Sequence, residues 1–169
     1  VQAAEFWPEG PDIDSPHAIV IEINSGTILY EKESDVANYP ASITKIMTTL
    51  LALENCELNE VVTFSNDAIK NTPRDSSHIW RDIGEEMTME ECLYAVMLES
   101  ANECAYAVAE HVGQKLGGDY NTFIQLMNDK AKELGCTNTN FANSSGLPDK
   151  NHKVSAKDMA LIAAEAYRN

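Results

Sequence analysis

Ser42 and Lys45 stand three residues apart in YPASITKIMT, a spacing that in a helix puts a hydroxyl and an amine one turn apart on the same face. A lysine whose ammonium is destabilised by burial can accept the proton of such a serine and turn it into a nucleophile. Backbone N–H groups at the start of the helix would favour both the alkoxide and the oxyanion formed on an attacked carbonyl. The pair alone carries little weight. The chain has 11 serines and 9 lysines in 169 residues, so about 0.6 S-x-x-K matches arise by chance. A capping serine beside a lysine that snorkels to water satisfies the same spacing. A second polar group, Ser100-Ala101-Asn102 in LESANEC, falls in a break between two apolar helical runs. Helices packed on both sides would hold such short side chains rigidly toward a cleft, although a helix-to-helix turn with Ser100 or Asn102 as cap reads the same way.

These groups need elements to carry them. Residues 1–17, with Pro8, Gly10, Pro11 and Pro16, read as an extended leader, and residues 18–169 as the folded part. Ala18 to Ile23 and Thr27 to Glu31 read as strands joined at Asn24-Ser25-Gly26, a hairpin signal. Ile43, Ile46, Met47, Leu50, Leu51 and Leu53 follow a helical period, which predicts a helix from Pro40 to about Glu54 with Ser42 in its first turn. A short strand at Val61 to Phe64 precedes a polar stretch of loops, with a short helix, to Glu86. Thr88 and Glu91 form a capping box for a helix through Leu98. Further helices are predicted from Glu103 to Val112, stopped by Gly113, and from Asp119 to Leu134, stopped by Gly135. Ser155 and Asp158 open a last helix at Ala156. The pattern is α+β, with too little sheet for its helices.

Composition excludes several classes of function. Twelve basic against 27 acidic residues give a net charge of −15, which repels a phosphate backbone and an anionic lipid surface alike. No apolar run approaches the length of a membrane span. No charged and apolar leader opens the chain, so a signal peptide is either absent or already removed. Cys56, Cys92, Cys104 and Cys136 have no metal-ligand spacing and read as buried free thiols, with one or two disulfides as the alternative. His17, His78, His111 and His152 do not cluster in the sequence, so neither a metal nor a cofactor is expected. The methionines read as core packing, and Trp80 as buried under the helices, with a place in the cleft wall as the alternative.

S-x-x-K followed some tens of residues later by S-x-N is the ordered pair of the serine penicillin-interacting enzymes, which add a K-T-G further on. The wording between the motifs matches too. INSGTILYEKESD, YPASITKIMTTLLALE, MLESANECAYAVAEHV, MNDKAKELGCTNTNFANSSGLPD and VSAKDMALIA occur in an order that resembles the low-molecular-weight penicillin-binding proteins that are D-alanyl-D-alanine carboxypeptidases. Phe141, Asn143, Gly146, Leu147, His152, Ser155, Ala156, Asp158 and Met159 resemble this family rather than the β-lactamases.

The resemblance implies a β-lactamase/transpeptidase-like domain in which Ser42 is acylated, Lys45 accepts its proton and Ser100 relays a proton to the leaving group. Asn102 would bind the substrate backbone. It also implies peptidoglycan D-Ala-D-Ala stem peptides as substrate, β-lactams as acylating inhibitors, an extracytoplasmic location and no cofactor. Two departures stand out. Asn143-Ser144-Ser145-Gly146 occupies a place where members often carry His before the Gly, which leaves Ser145 with only a weak claim to the site. No K-T-G occurs. In the family its strand binds the substrate carboxylate and supplies an oxyanion N–H. The shortage of strands and the missing motif together lead to the expectation of an N-terminal part of a longer domain, inactive alone, that associates through its open hairpin edge or with the rest of its own chain.

Two other readings compete. A class A β-lactamase needs a glutamate in E-x-x-L-N form, and the one E-x-x-x-N, Glu165 to Asn169, has Arg168 in the place of Leu. A non-catalytic cell-wall or partner-binding module would not need Ser42, Lys45, Ser100 and Asn102 all intact.

Overall fold

The computed structural model describes residues 8–169, so the first part of the expected leader lies outside the described residues. Strands β1 (Ala18–Ile21) and β2 (Ile28–Lys32) form the expected antiparallel hairpin, with a register shift between Val20 and Ile21. Its turn is held by the Glu22 carboxylate, which accepts from the N–H groups of Asn24 and Ser25. The hairpin is covered by α6 (Ala156–Arg168), which also packs on α1 (Lys45–Asn55). Ser155 caps α6 by accepting from the Asp158 N–H at 3.1 Å.

The centre of the molecule is α4 (Asn102–Lys115), which touches α1, α2 (Asn66–Lys70), α3 (Met89–Leu98), α5 (Tyr120–Glu133) and β4 (Val61–Thr63). Its sequence explains that position. Cys104, Ala105, Ala107, Val108, Ala109 and Val112 are buried, and side chains this small, apolar on most sides, let several helices approach at once. The capping box of Thr88 and Glu91 opens α3 as expected, and Asp119 with Thr122 makes another for α5.

The predicted stop at Gly113 is wrong. α4 runs through it to Lys115, and Gly117 takes the left-handed conformation beyond, with φ of 84°. Gly113 serves close approach: a Cβ there would overlap the Asp119 carbonyl at the start of α5. The helix predicted from Pro40 is also modified. Ala41–Thr44 form a 3-10 turn, and the α-helix starts only at Lys45.

Short strands, all but β4 missed in the sequence, complete the frame. β3 (Ala37–Asn38) and β6 (Thr139–Asn140) both pair with β7 (Lys153–Ser155), and β4 pairs with β5 (Glu86–Thr88). The sheet β3-β7-β6 ties the chain just before the 3-10 turn to the segment just after residue 150. All four cysteines are free, Cys92 and Cys104 buried and the other two half-buried. No helix among the described residues is long and apolar enough to cross a membrane.

Candidate active site

The 3-10 turn lifts Ser42 clear of the helix body, and the first residue of α1, Lys45, points back beneath it. Ala41, just before the serine, has φ of 51°, a conformation that costs a non-glycine residue about 1–2 kcal/mol. The break between α3 and α4 delivers the second group. Ser100 has φ of 55°, and the residue after it, Ala101, precedes α4, so that Asn102 starts the helix. Two short segments far apart in the chain thus meet. The Ser100 hydroxyl donates to Ser42 Oγ at 2.9 Å, and Lys45 Nζ donates to the same oxygen at 3.3 Å and to Asn102 Oδ1 at 2.7 Å.

A third segment closes the cluster. Lys45 Nζ also donates to the Ser145 carbonyl at 2.5 Å, so the sequence reading, which gave Ser145 little part in the site, undervalued its backbone. Two N–H groups of Lys45 are therefore held by neutral acceptors, which leaves the third direction on Ser42. Loss of the proton on that side gives an amine whose lone pair faces the hydroxyl. Lys45 is buried, and burial lowers its pKa to about 8 against an opposing pull from Glu103.

The segment that carries Ser145 is fixed by hydrogen bonds on every side. Thr48 Oγ1 donates to the Ser144 carbonyl at 2.6 Å, Ser144 Oγ donates to the Ala105 carbonyl at 2.9 Å, and the Ser144 N–H donates to Tyr120 Oη at 3.0 Å. Asn143 Oδ1 accepts from the Gly146 N–H at 2.7 Å. His152, 1% exposed, accepts at Nδ1 from the Ala142 N–H, so its proton sits on Nε2, which reaches Thr44 Oγ1 at 2.7 Å. Burial lowers the pKa of this imidazole to about 4. Gly146, with φ of 87°, lies flat against the Ala41–Ser42 peptide, where a Cβ would overlap the Ala41 carbonyl.

On the opposite side, the loop before β5 is tied to the start of α4. The Asn102 N–H donates to the Ser77 carbonyl at 2.9 Å, and the Ile79 N–H donates to Glu103 Oε1 at 2.6 Å. The expectation that Trp80 is buried fails: it is 71% exposed, with φ of 61°. Away from this site, Cys56, Glu60 and His111 bring ligand atoms within 4.8 Å of one another, a grouping that sequence spacing did not reveal. The Glu60 carboxylate is already bonded by His111 Nε2 at 2.8 Å and by the Lys115 ammonium.

The family model for D-alanyl-D-alanine carboxypeptidases matches residues 4–169. The chain is 37% identical over 159 residues to the D-alanyl-D-alanine carboxypeptidase DacF of Bacillus subtilis, covering 92% of this chain and 39% of that protein. It is 32% identical over 170 residues to DacA of Haemophilus influenzae, covering 98% and 42%. Among solved structures, the D-alanyl-D-alanine carboxypeptidase DacD from Francisella tularensis superposes with a TM-score of 0.87 at 30% identity, over 100% of this chain and 40% of that one. Penicillin binding protein 5 from Haemophilus influenzae gives 0.86 at 32%, over 95% and 47%. The chain spans about two fifths of the length of these two curated relatives.

Proposed function

We propose, from the premise that this chain belongs to the D-alanyl-D-alanine carboxypeptidase family, that the whole protein is a serine carboxypeptidase acting on peptides that end in D-Ala-D-Ala. The observation that carries the reading is the convergence of Lys45 Nζ and Ser100 Oγ on the Ser42 hydroxyl.

Neutral Lys45 accepts the Ser42 proton as Oγ attacks the penultimate D-Ala carbonyl. Backbone amides of the 3-10 turn face the developing oxyanion, since the first N–H groups of a helical turn have no partner within it. Ser100 sits between the resulting ammonium and the leaving group, where it passes a proton to the departing D-Ala amine. Water then attacks the ester and releases Ser42. Asn102 both fixes Lys45 and offers its amide to the substrate backbone. A β-lactam presents a strained amide of the same shape, forms the same ester and blocks the site. Such chemistry supports a location outside the cytoplasm, on peptidoglycan stem peptides.

Mass spectrometry after incubation of the full-length protein with benzylpenicillin tests this. The expected result is one adduct, on Ser42, absent from Ser42→Ala. An adduct on another residue, or one that survives the substitution, removes Ser42 from the role.

A further inference from the structure

Four buried side-chain polar atoms among the described residues have no hydrogen-bond partner: Thr49 Oγ1, His78 Nε2, Arg81 Nε and Glu103 Oε2. Three of the four belong to residues that line one cavity of about 350 Å³, walled by Ile69, Arg74, His78, Trp80, Arg81 and Glu103. Native proteins leave few such atoms unsatisfied, so their concentration around a single space marks a place for polar groups that the protein itself does not supply. Glu103 is the sharpest case. It is 2% exposed, and one carboxylate oxygen is held by the Ile79 N–H while the other has no partner.

The backbone points to the same place. Ala41, Ser100 and Trp80 are three of the four non-glycine residues with positive φ among the described residues. The first two flank or form the catalytic cluster. A bulky aromatic in that region is a strong outlier, and such strain persists where the surroundings enforce it for a purpose. Here the surroundings are the two bonds that tie Ser77 and Ile79 to Asn102 and Glu103, together with the His78 ring, 3.9 Å from that of Trp80. The result is an aromatic face held out to solvent beside a cavity whose wall includes the chain neighbour of Asn102.

We infer that this cavity is a subsite for the substrate residue that precedes D-Ala-D-Ala, and that it selects a side chain ending in both an ammonium and a carboxylate. The inference rests on the function proposed above. The unpartnered Glu103 oxygen requires a donor, and Arg81 Nε requires an acceptor. Arg74, exposed and without an ion pair or hydrogen bond among the described residues, supplies a second cation for a carboxylate. Trp80 and Ile69 offer apolar surface to the methylene stem that carries those two charges. Asp82, also on the wall, faces the ammonium together with Glu103. A neutral or purely apolar side chain would leave these groups unpaired, which is how a polar pocket discriminates.

Two pentapeptides separate the cases: one with lysine before D-Ala-D-Ala, and one with diaminopimelate, which adds a carboxylate beside the terminal ammonium. Calorimetric titration into the full-length Ser42→Ala protein reads binding without catalysis. The diaminopimelate peptide is expected to bind about tenfold more tightly, the order of effect of one charge-assisted hydrogen bond. Arg74→Ala should bring that ratio close to one and change the lysine peptide's affinity far less, whereas Trp80→Gly, added separately, should weaken both peptides alike. Equal affinities in the parent, a ratio that survives Arg74→Ala, or affinities for both peptides that Trp80→Gly leaves unchanged, overturns the subsite. Penicillin labelling of Ser42, measured in parallel on proteins that retain the serine, reports on the proposed function alone. Loss of labelling with the ratio intact would remove the function and leave the subsite, and the converse result would do the reverse.

Discussion

The two sides of the Ser42 cluster are built on opposite principles. On one side, residues 141–147 with His152 and Tyr120 bury their polar groups against Thr44, Thr48 and Ala105, and none of the four unpartnered buried atoms lies there. On the other, the loop from Arg74 to Asp82 carries an exposed strained tryptophan and lines a cavity with three such atoms. A fully satisfied polar network fixes one geometry, which is what a proton transfer over about 3 Å requires. An unsatisfied one is incomplete until something binds. Under the function and subsite proposed above, the first side sets the chemistry and the second the choice of substrate.

The largest effect should come from the lysine that the satisfied side holds. Lys45→Arg keeps the charge but cannot lose its proton near neutrality, so acylation by benzylpenicillin should fall by about 10²- to 10⁴-fold. In the parent, the acylation rate should rise with pH as Lys45 deprotonates and level off above about 8, the value to which burial lowers it. Stopped-flow measurement of both proteins across pH 5–10 checks this. An arginine variant within tenfold of the parent would mean that the Asn102 and Ser145 acceptors do not orient a base.

Next comes the packing of that side against the Ala41–Ser42 peptide. Gly146→Ala combines a left-handed backbone with overlap of the Ala41 carbonyl, and should cost at least about 2 kcal/mol in urea unfolding. A cost below about 0.5 kcal/mol would show that the 3-10 turn can move away from Gly146, and that this side is less rigid than its hydrogen bonds imply.

The His152 imidazole gives the same side a dependence on pH. Its pKa falls from 6.5 to about 4 on folding because burial opposes the charged form. The unfolded chain thus binds the proton first, and stability present above pH 6.5 drains away as pH falls toward 4. The full difference amounts to about 3 kcal/mol. Glu22 and Glu60, lowered from 4.5 to about 2 by hydrogen bonds that Ser25 and His111 respectively lead, lose their contribution only below 4.5. The window from pH 6.5 to 4.5 therefore belongs to His152 among these three. Urea midpoints that stay constant across it would contradict the neutral imidazole.

What the sequence revealed follows the same division. Ser42, Lys45, Ser100 and Asn102 were singled out because S-x-x-K and S-x-N stand in the order of the family the chain resembles, spacing alone carrying little weight, and the hairpin and most helices were legible because their caps and periods are local. Ser145 contributes only a carbonyl, which any residue at that position would offer. The strands β3, β6 and β7 are two or three residues long, and β3 pairs with β7 across more than 100 positions, so no local pattern announces them. Gly113 was misread because a glycine that permits helix–helix approach has the same letter as one that stops a helix. Trp80 was misread because its conformation is imposed by Glu103 and Asn102 against its own preference.

The smallest expected effect is the mirror image of Gly146→Ala. Trp80→Gly removes a side chain from a left-handed position, which relieves about 1–2 kcal/mol of backbone cost and returns about 0.5–1 kcal/mol through the greater freedom of glycine in the unfolded chain. Loss of the edge contact with His78 takes back about as much again. The net change in urea unfolding should therefore stay within about 1 kcal/mol of zero, where truncation of a buried aromatic costs about 3–5 kcal/mol. A loss in that larger range would mean that Trp80 is a structural side chain of the loop, and the contrast between a side that holds itself together and a side that waits for substrate would no longer stand.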